Sequence, residues 1–185
     1  MENPSSLEVH PAPHPKLEVH RAGFPLDHPY LEQCWTPVLG PSSVLLLRRI
    51  PWLWRESAPA EVDVGELGAQ LGLGRGDGRH SPMARTVERI VRFRFASWSG
   101  PGALDVFTEV PPLPDRHLDR VPGWCVERHE QLLTAHLDAL GRQGGGVAAP
   151  AGSPFRPGSD AQRMSQQLDQ LTAARMAPVD NGLRR

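Results

Sequence analysis

Three arginines spaced like one face of a helix are the residues best suited to chemistry in this chain. Arg85, Arg89 and Arg92 follow one another at intervals of four and three residues, so a helix would place them on one side. A guanidinium group stays charged at physiological pH and donates paired hydrogen bonds to phosphate or to guanine. The spacing therefore indicates a surface that binds a polyanion.

The same segment carries apolar residues on its opposite side. Ser81 is a natural N-cap and Pro82 suits the first turn, which predicts a helix over residues 82–93. The apolar positions at helical spacing are Met83, Val87, Ile90 and Val91. A helix that is apolar behind and cationic in front can lie in a DNA groove while its core stays covered. The structural alternative is a solvated helix on a protein surface.

Positive charge is local to this part of the chain. The formal net charge of the whole protein is −1, so general coating of nucleic acid by a polycation is excluded. Between Arg75 and Arg94, six arginines accompany two acidic residues, a local excess of four positive charges. Arg79, His80 and Ser81 come just before the helix, where N–H groups and side chains can bind a phosphate.

The elements around this helix have a recognisable order. Residues 62–64 suit a short strand, and Asp63 is followed three residues later by Glu66, a capping box for a first helix. After the arginine helix, residues 95–98 and 104–110 predict a hairpin around the turn sequence Ser-Gly-Pro-Gly. The connection between the two helices is long for a helix-turn-helix, and the hairpin tip has no lysine or arginine.

This order, strand, helix, arginine helix and hairpin, resembles a winged helix-turn-helix domain of bacterial regulators. The segment from Asp63 to Val110 carries the likeness, and its arginine-rich part resembles small actinobacterial proteins through Gly78-Arg79-His80-Ser81-Pro82-Met83-Ala84-Arg85. The resemblance implies an α+β fold, mainly α with a small β-hairpin: a winged-helix core with flanking helices and flexible termini. It also implies that Arg85 and Arg89 read bases, whereas Arg75, Arg79 and Arg92 contact phosphates.

The composition predicts three regions. Residues 1–26 are rich in proline and histidine and repeat the tetrapeptide Leu-Glu-Val-His, which could form brief strands but predicts a flexible arm. Residues 27–141 form the winged-helix core with a C-terminal helix. Residues 142–185 contain a linker rich in glycine, alanine and proline and a weakly helical or disordered tail.

Helices are also expected on both sides of the winged segment. Asp27 is the predicted cap of a helix that Pro37 ends or bends, and residues 44–50 form a core helix that Pro51 ends or kinks. A longer helix over residues 122–140 has a broad apolar stripe. This stripe either packs on the core or pairs with a second subunit, and a homodimer would match a two-fold DNA site.

Other chemistries have weaker support in the sequence. The eight histidines have no metal-ligand spacing, and the two cysteines are expected to be reduced and buried, so no metal or cofactor is expected. The glycines from Gly72 to Gly78 could approach a phosphate, but neither the P-loop nor the dinucleotide motif is present. A Gly-x-Ser-x-Gly motif is also absent, which argues against an enzyme.

We therefore expect a cytoplasmic, sequence-specific DNA-binding protein that regulates transcription as a homodimer. The sequence has no membrane span or leader-like segment, so no membrane partner is expected, and the C-terminal tail is a possible site for a protein partner. The first alternative is a winged-helix module that binds another protein without DNA. The second is a nucleotide-binding enzyme that uses the glycine-rich connection.

Overall fold

The fold is a mixed α+β arrangement of helices with one four-stranded and one two-stranded sheet in the described residues. The computed structural model describes residues 6–76 and 78–144. The elements are β1 (Ser6–Ala12), α1 (Leu17–Ala22), β2 (Phe24–Pro25), α2 (Pro29–Leu39), α3 (Pro41–Glu56), β3 (Ala60–Asp63), α4 (Val64–Gln70), α5 (Pro82–Arg92), β4 (Ala96–Gly100), β5 (Ala103–Phe107), β6 (Glu109–Val110), α6 (Asp115–Leu118) and α7 (Gly123–Gly144). No helix in the described ranges has the length and apolar character needed to cross a membrane.

The main sheet has the strand order β3-β1-β5-β4. β4 and β5 form the antiparallel hairpin that the sequence predicts, and β5 runs parallel to β1. β1 also pairs with β3 in antiparallel fashion. The strand before the helix-turn-helix segment therefore joins the hairpin through β1, not directly. β2 and β6 form a separate two-stranded sheet.

The prediction that residues 1–26 form a flexible arm is wrong for the part that the structure describes. β1 is an inner strand, and its Leu7 and Val9 are buried in the core. The second copy of Leu-Glu-Val-His lies in α1 and buries Val19. The two copies adopt different structures because the first is hydrogen-bonded on both sides by β3 and β5, which stabilise an extended backbone. Residues 142–144 belong to α7, and the rest of the predicted tail lies outside the described residues.

Neither Pro37 nor Pro51 ends its helix, so of the two expected outcomes, an end or a bend, the structure excludes the first. α2 continues through Pro37 to Leu39, and α3 continues through Pro51 to Glu56. Pro37 has no N–H to donate to Gln33, and the Cys125 thiol lies beside this turn, 3.4 Å from the carbonyl of Cys34 and 3.7 Å from that of Gln33. The N-cap of α2 is His28 and not Asp27, since the His28 Nδ1 accepts from the N–H of Tyr30.

α7 packs on the core through α2. Cys125 and His129 are buried, and the hydroxyl of Tyr30 is hydrogen-bonded to the Nδ1 of His129 at 2.5 Å. Two helical turns further along, the ring of His136 stacks on the ring of Phe24, with 4.3 Å between the ring centroids. The stripe predicted on residues 122–140 therefore covers the core on the side of α7 that carries Cys125, His129 and His136. Trp124 and Leu137 remain exposed on the same helix.

Candidate nucleic-acid interface

The arginine helix forms as the sequence predicts. The hydroxyl oxygen of Ser81 accepts from the N–H of Ala84 at 3.1 Å, and Pro82 occupies the first turn. Met83, Val87 and Ile90 are buried against the core, so the apolar side is correctly predicted. The helix ends at Arg92, one residue earlier than expected.

Its outward face carries three arginines and one acid. Arg85, Arg89 and Arg92 are exposed, together with Glu88. In the described ranges, none of the three arginines lies within ion-pair distance of a carboxylate. The outward face of α5 therefore keeps an excess of positive charge, which is what attraction to a polyanion requires.

Two of these guanidiniums are oriented by backbone carbonyls. Arg85 donates from Nε and Nη2 to the carbonyl of His80, at 3.1 and 2.8 Å. Arg89 donates from Nη2 to the carbonyl of Val38 near the end of α2, at 3.0 Å. A cation is favourable at the C-terminal end of a helix, so this contact holds Arg89 without neutralising its charge. Each of the two side chains is thus held in one orientation by a carbonyl oxygen.

The residues before α5 divide into two groups. Arg79 and His80 are exposed beside the helix N-terminus, as expected for phosphate contacts. Ser81 is buried, and its oxygen accepts the cap hydrogen bond, so the structure gives it a role in the helix and not at the surface. Arg75 is exposed but paired with the carboxylate of Glu66, which reduces its value as a phosphate contact.

The glycine-rich connection ends α4 and then packs back on it. The N–H of Gly72 donates to Ala69, and the N–H of Leu73 donates to Gly68, at 3.1 and 2.8 Å. These N–H groups close the helix and are not available to cradle a phosphate. A Cβ on Gly68 would lie 2.6 Å from the carbonyl oxygen of Gly74, so glycine is needed for the close approach of the connection. Phosphate binding by the remaining N–H groups of the connection, on which the nucleotide-binding enzyme depends, stays a prediction.

The hairpin beside α5 adds an aromatic side chain that the sequence analysis did not select. Trp98 on β4 is 48% exposed and shares a cavity of about 110 Å³ with Arg79 and Glu88. Near the tip, Ser99 donates to the carboxylate of Asp105 at 2.8 Å, and the turn residues 99–102 include no lysine or arginine. No signal in the sequence indicated this exposure, since strict alternation along β4 would place Trp98 on the same face as the buried Ala96.

Four further residues were missed because their importance depends on tertiary structure. Arg94, Arg116, His117 and Trp35 line a cavity of about 180 Å³ with Arg92 and Phe93. They come from three separate parts of the chain, so no spacing in the sequence could indicate the cavity.

The buried titratable groups belong to the core. Burial lowers the pKa of His129, which favours the neutral ring that meets Tyr30. Burial raises the pKa of Cys34 to about 12, and the neighbouring Cys125 adds to this shift, so the thiol is a poor nucleophile. Both cysteines are free, as predicted. In residues 6–76 and 78–144, no three His, Cys, Asp or Glu side chains are grouped to hold a metal ion.

Comparison of the chain with protein-family models, with curated proteins and with solved structures gives no match.

Proposed function

We propose that this chain is a cytoplasmic DNA-binding protein of winged helix-turn-helix type that regulates transcription as a homodimer. The observation that carries the proposal is the outward face of α5. Arg85, Arg89 and Arg92 stand there with no carboxylate partner in the described part of the chain, and the opposite side of the helix is buried. The element order α3-β3-α4-α5-β4-β5 supports the winged-helix assignment.

The roles within this interface follow from the contacts. Arg85 and Arg89 are the proposed base readers, because they lie on the outward face and are held by carbonyl oxygens. Arg79, His80 and Arg92 are the proposed phosphate contacts at the two ends of the helix. Arg75 contributes only if DNA phosphate displaces Glu66, since that carboxylate now pairs with it.

The test is a random-oligonucleotide selection followed by binding measurements at several salt concentrations. Arg85→Ala and Arg89→Ala should each weaken binding to the selected site by about 1–3 kcal/mol and leave the free energy of unfolding nearly unchanged. Removing a phosphate contact through Arg92→Ala should reduce the slope of log K against log salt by about 1. A selection that enriches no sequence, with no salt-dependent binding, would contradict the proposal.

Arg128→Ala is the matched control. Arg128 lies on α7, and its Nε donates to the side chain of Gln33 at 2.5 Å, away from α5. Its loss removes the same charge from the protein but not from the proposed interface. We expect the affinity for the selected site to change by less than about 0.5 kcal/mol. An equal loss for Arg128→Ala and Arg85→Ala would indicate a general charge effect.

The homodimer is proposed through residues 122–140, all of which except Pro122 lie in α7. Trp124 and Leu137 are the apolar side chains that packing on the core leaves uncovered, and Leu137 is 49% exposed. Deleting the helix would also remove His129 and Cys125 from the core, so a point substitution is the better test. Leu137→Glu should convert a dimer into a monomer in sedimentation velocity, with unchanged circular dichroism. A wild-type protein that is monomeric at high concentration would refute the dimer.

A second candidate function is binding of another protein, and one observation favours it. An open groove of about 530 Å³ lies between α3 and α4, where Trp52 and Leu45 are exposed beside Arg48 and Arg49. Exposed apolar side chains with a charged border are typical of protein interfaces. The two functions differ in salt dependence, since DNA binding through several phosphates is far more sensitive to salt.

A further inference from the structure

A cavity lies where the C-terminal end of α5 meets α2 and α6. Its volume is about 180 Å³, and its lining residues are Trp35, Arg92, Phe93, Arg94, Arg116 and His117. Arg92 belongs to α5, Trp35 to α2, and Arg116 and His117 to α6. The cavity is separate from the part of α5 that carries Arg85.

The lining is strongly positive. Arg92, Arg94 and Arg116 are exposed at the cavity, and none of them has an ion-pair partner within residues 6–76 and 78–144. The pKa of His117 is lowered by burial and by the positive charges of Arg116 and Arg120.

The cavity also offers flat rings. The ring of His117 lies 6.0 Å from Trp35 and 5.9 Å from Phe93. Trp35 is fixed because its Nε1 donates to the carbonyl of Pro111 at 2.9 Å. A site that combines guanidiniums with aromatic faces suits an anionic group attached to a planar ring.

Arg94 occupies an unfavourable backbone conformation at this cavity. Its φ angle is +61°, and it is the one residue other than glycine with a positive φ in the described part of the chain. Glycine is the usual residue at such a helix end. Strain of this kind at a cavity suggests a function for the side chain. Here the strained position directs the chain so that a third arginine lines the cavity.

We propose that this cavity binds the phosphate group of a nucleotide, with Arg92, Arg94 and Arg116 as its donors and the rings of Phe93 and His117 beside the base or sugar. Several guanidiniums match the charge and the multiple oxygens of phosphate better than those of a single carboxylate. The volume is below the range of sites that enclose a whole drug-sized ligand, so most of the nucleotide would lie outside.

The phosphate could come from a free mononucleotide or from the backbone of a nucleic acid that also contacts α5. Only the second source rests on the proposed function. The probes are adenosine monophosphate, inorganic phosphate, adenosine and a short DNA duplex, each titrated into the full chain by calorimetry. We expect saturable binding of adenosine monophosphate, weaker binding of inorganic phosphate, and none of adenosine.

The key variants are Arg116→Gln and Arg120→Gln. Arg116 lines the cavity, whereas Arg120 lies just after α6 and is absent from the lining. Arg116→Gln should weaken binding of adenosine monophosphate by about tenfold or more, and Arg120→Gln by less than about threefold. In nuclear magnetic resonance titrations, the bound phosphate should raise the pKa of His117, and Arg116→Gln should reduce that rise.

The outcomes separate the two phosphate sources and the two proposals. If Arg116→Gln weakens binding of the mononucleotide but not of the duplex, the ligand is a free nucleotide. If it weakens binding of both, the cavity also holds a backbone phosphate. The inference is overturned if adenosine monophosphate does not saturate, or if acetate at equal ionic strength displaces it equally well. A chain that binds the mononucleotide but no duplex keeps this inference and refutes the proposed function.

Discussion

The two helices of the proposed helix-turn-helix end with the same hydrogen bonds but with different residues. At the end of α4, Gly72 donates to Ala69, and the next N–H donates to Gly68. At the end of α5, Arg94 donates to Val91, and the next N–H donates to Ile90. In both cases the residue that turns the chain has a positive φ, +71° for Gly72 and +61° for Arg94.

The residue at positive φ determines whether each helix end is strained. Glycine adopts a positive φ without steric cost, whereas a side chain at this position costs about 1–2 kcal/mol. α4 therefore ends without strain, and the connection after it packs back on the helix. α5 ends with strain and leads into β4, and the strained residue is one of the arginines of the cavity. The end of α5 combines a structural turn with a proposed binding group.

The largest expected effect is at Gly68, because the end of α4 depends on close packing. Gly68→Ala places a Cβ 2.6 Å from the carbonyl oxygen of Gly74, and this backbone atom must move. We expect the free energy of unfolding to fall by about 1–3 kcal/mol in urea titrations followed by circular dichroism. Helix propensity alone predicts the opposite sign, a gain of about 1 kcal/mol.

Gly141→Ala is the control for this substitution. Gly141 lies in α7, and a Cβ there would meet no atom within 4 Å. The alanine should therefore stabilise the helix by up to about 1 kcal/mol. If both alanines stabilise the protein, the connection does not depend on its contact with α4, and the comparison between the two helix ends loses half its basis.

The ends of α4 and α5 also show what could be read from the sequence. Ser81, Pro82 and the apolar spacing of α5 are local signals, and the structure confirms the helix that they predict. Asp63 caps α4 as predicted, since its carboxylate accepts from the N–H of Glu66 at 2.7 Å. The Glu66 carboxylate pairs with Arg75 across the connection, a contact that the capping motif does not indicate.

The features that were not predicted depend on residues far apart in the chain. One copy of Leu-Glu-Val-His becomes β1 because strands from distant segments pair with it on both sides, and the other copy becomes part of α1. α2 continues through Pro37, and the Cys125 thiol that contacts the carbonyls of this turn comes from α7. The cavity likewise requires Trp35 and Arg116, which only the fold brings together.

The second largest expected effect is at Gly72, where the chain turns after α4 with a positive φ. Gly72→Arg gives α4 the same residue type that ends α5. A Cβ at Gly72 would meet no atom within 4 Å, so the substitution changes the backbone preference without a clash. We expect the free energy of unfolding to fall by about 1–2 kcal/mol. An unchanged urea midpoint would mean that a positive φ has no cost for arginine in this segment. The argument that Arg94 is strained would then lose its support.

The smallest expected effect has the opposite sign. Arg94→Gly relieves the strain at the end of α5 and should raise the free energy of unfolding by about 1 kcal/mol. Arg94→Ala keeps the strain and should leave stability nearly unchanged, because Arg94 is exposed and has no ion pair among the described residues. Both variants remove one guanidinium from the cavity.

The two Arg94 variants together separate stability from binding. If the Arg94 side chain binds the phosphate in the cavity, both variants should lower the affinity for adenosine monophosphate to a similar extent, although only the glycine variant is more stable. A glycine variant that gains stability and keeps full affinity would show that the cavity does not use Arg94. A glycine variant that loses stability would show that the arginine side chain stabilises the end of α5 by packing. This packing, and not a role in binding, would then explain why an arginine occupies the position with φ +61°.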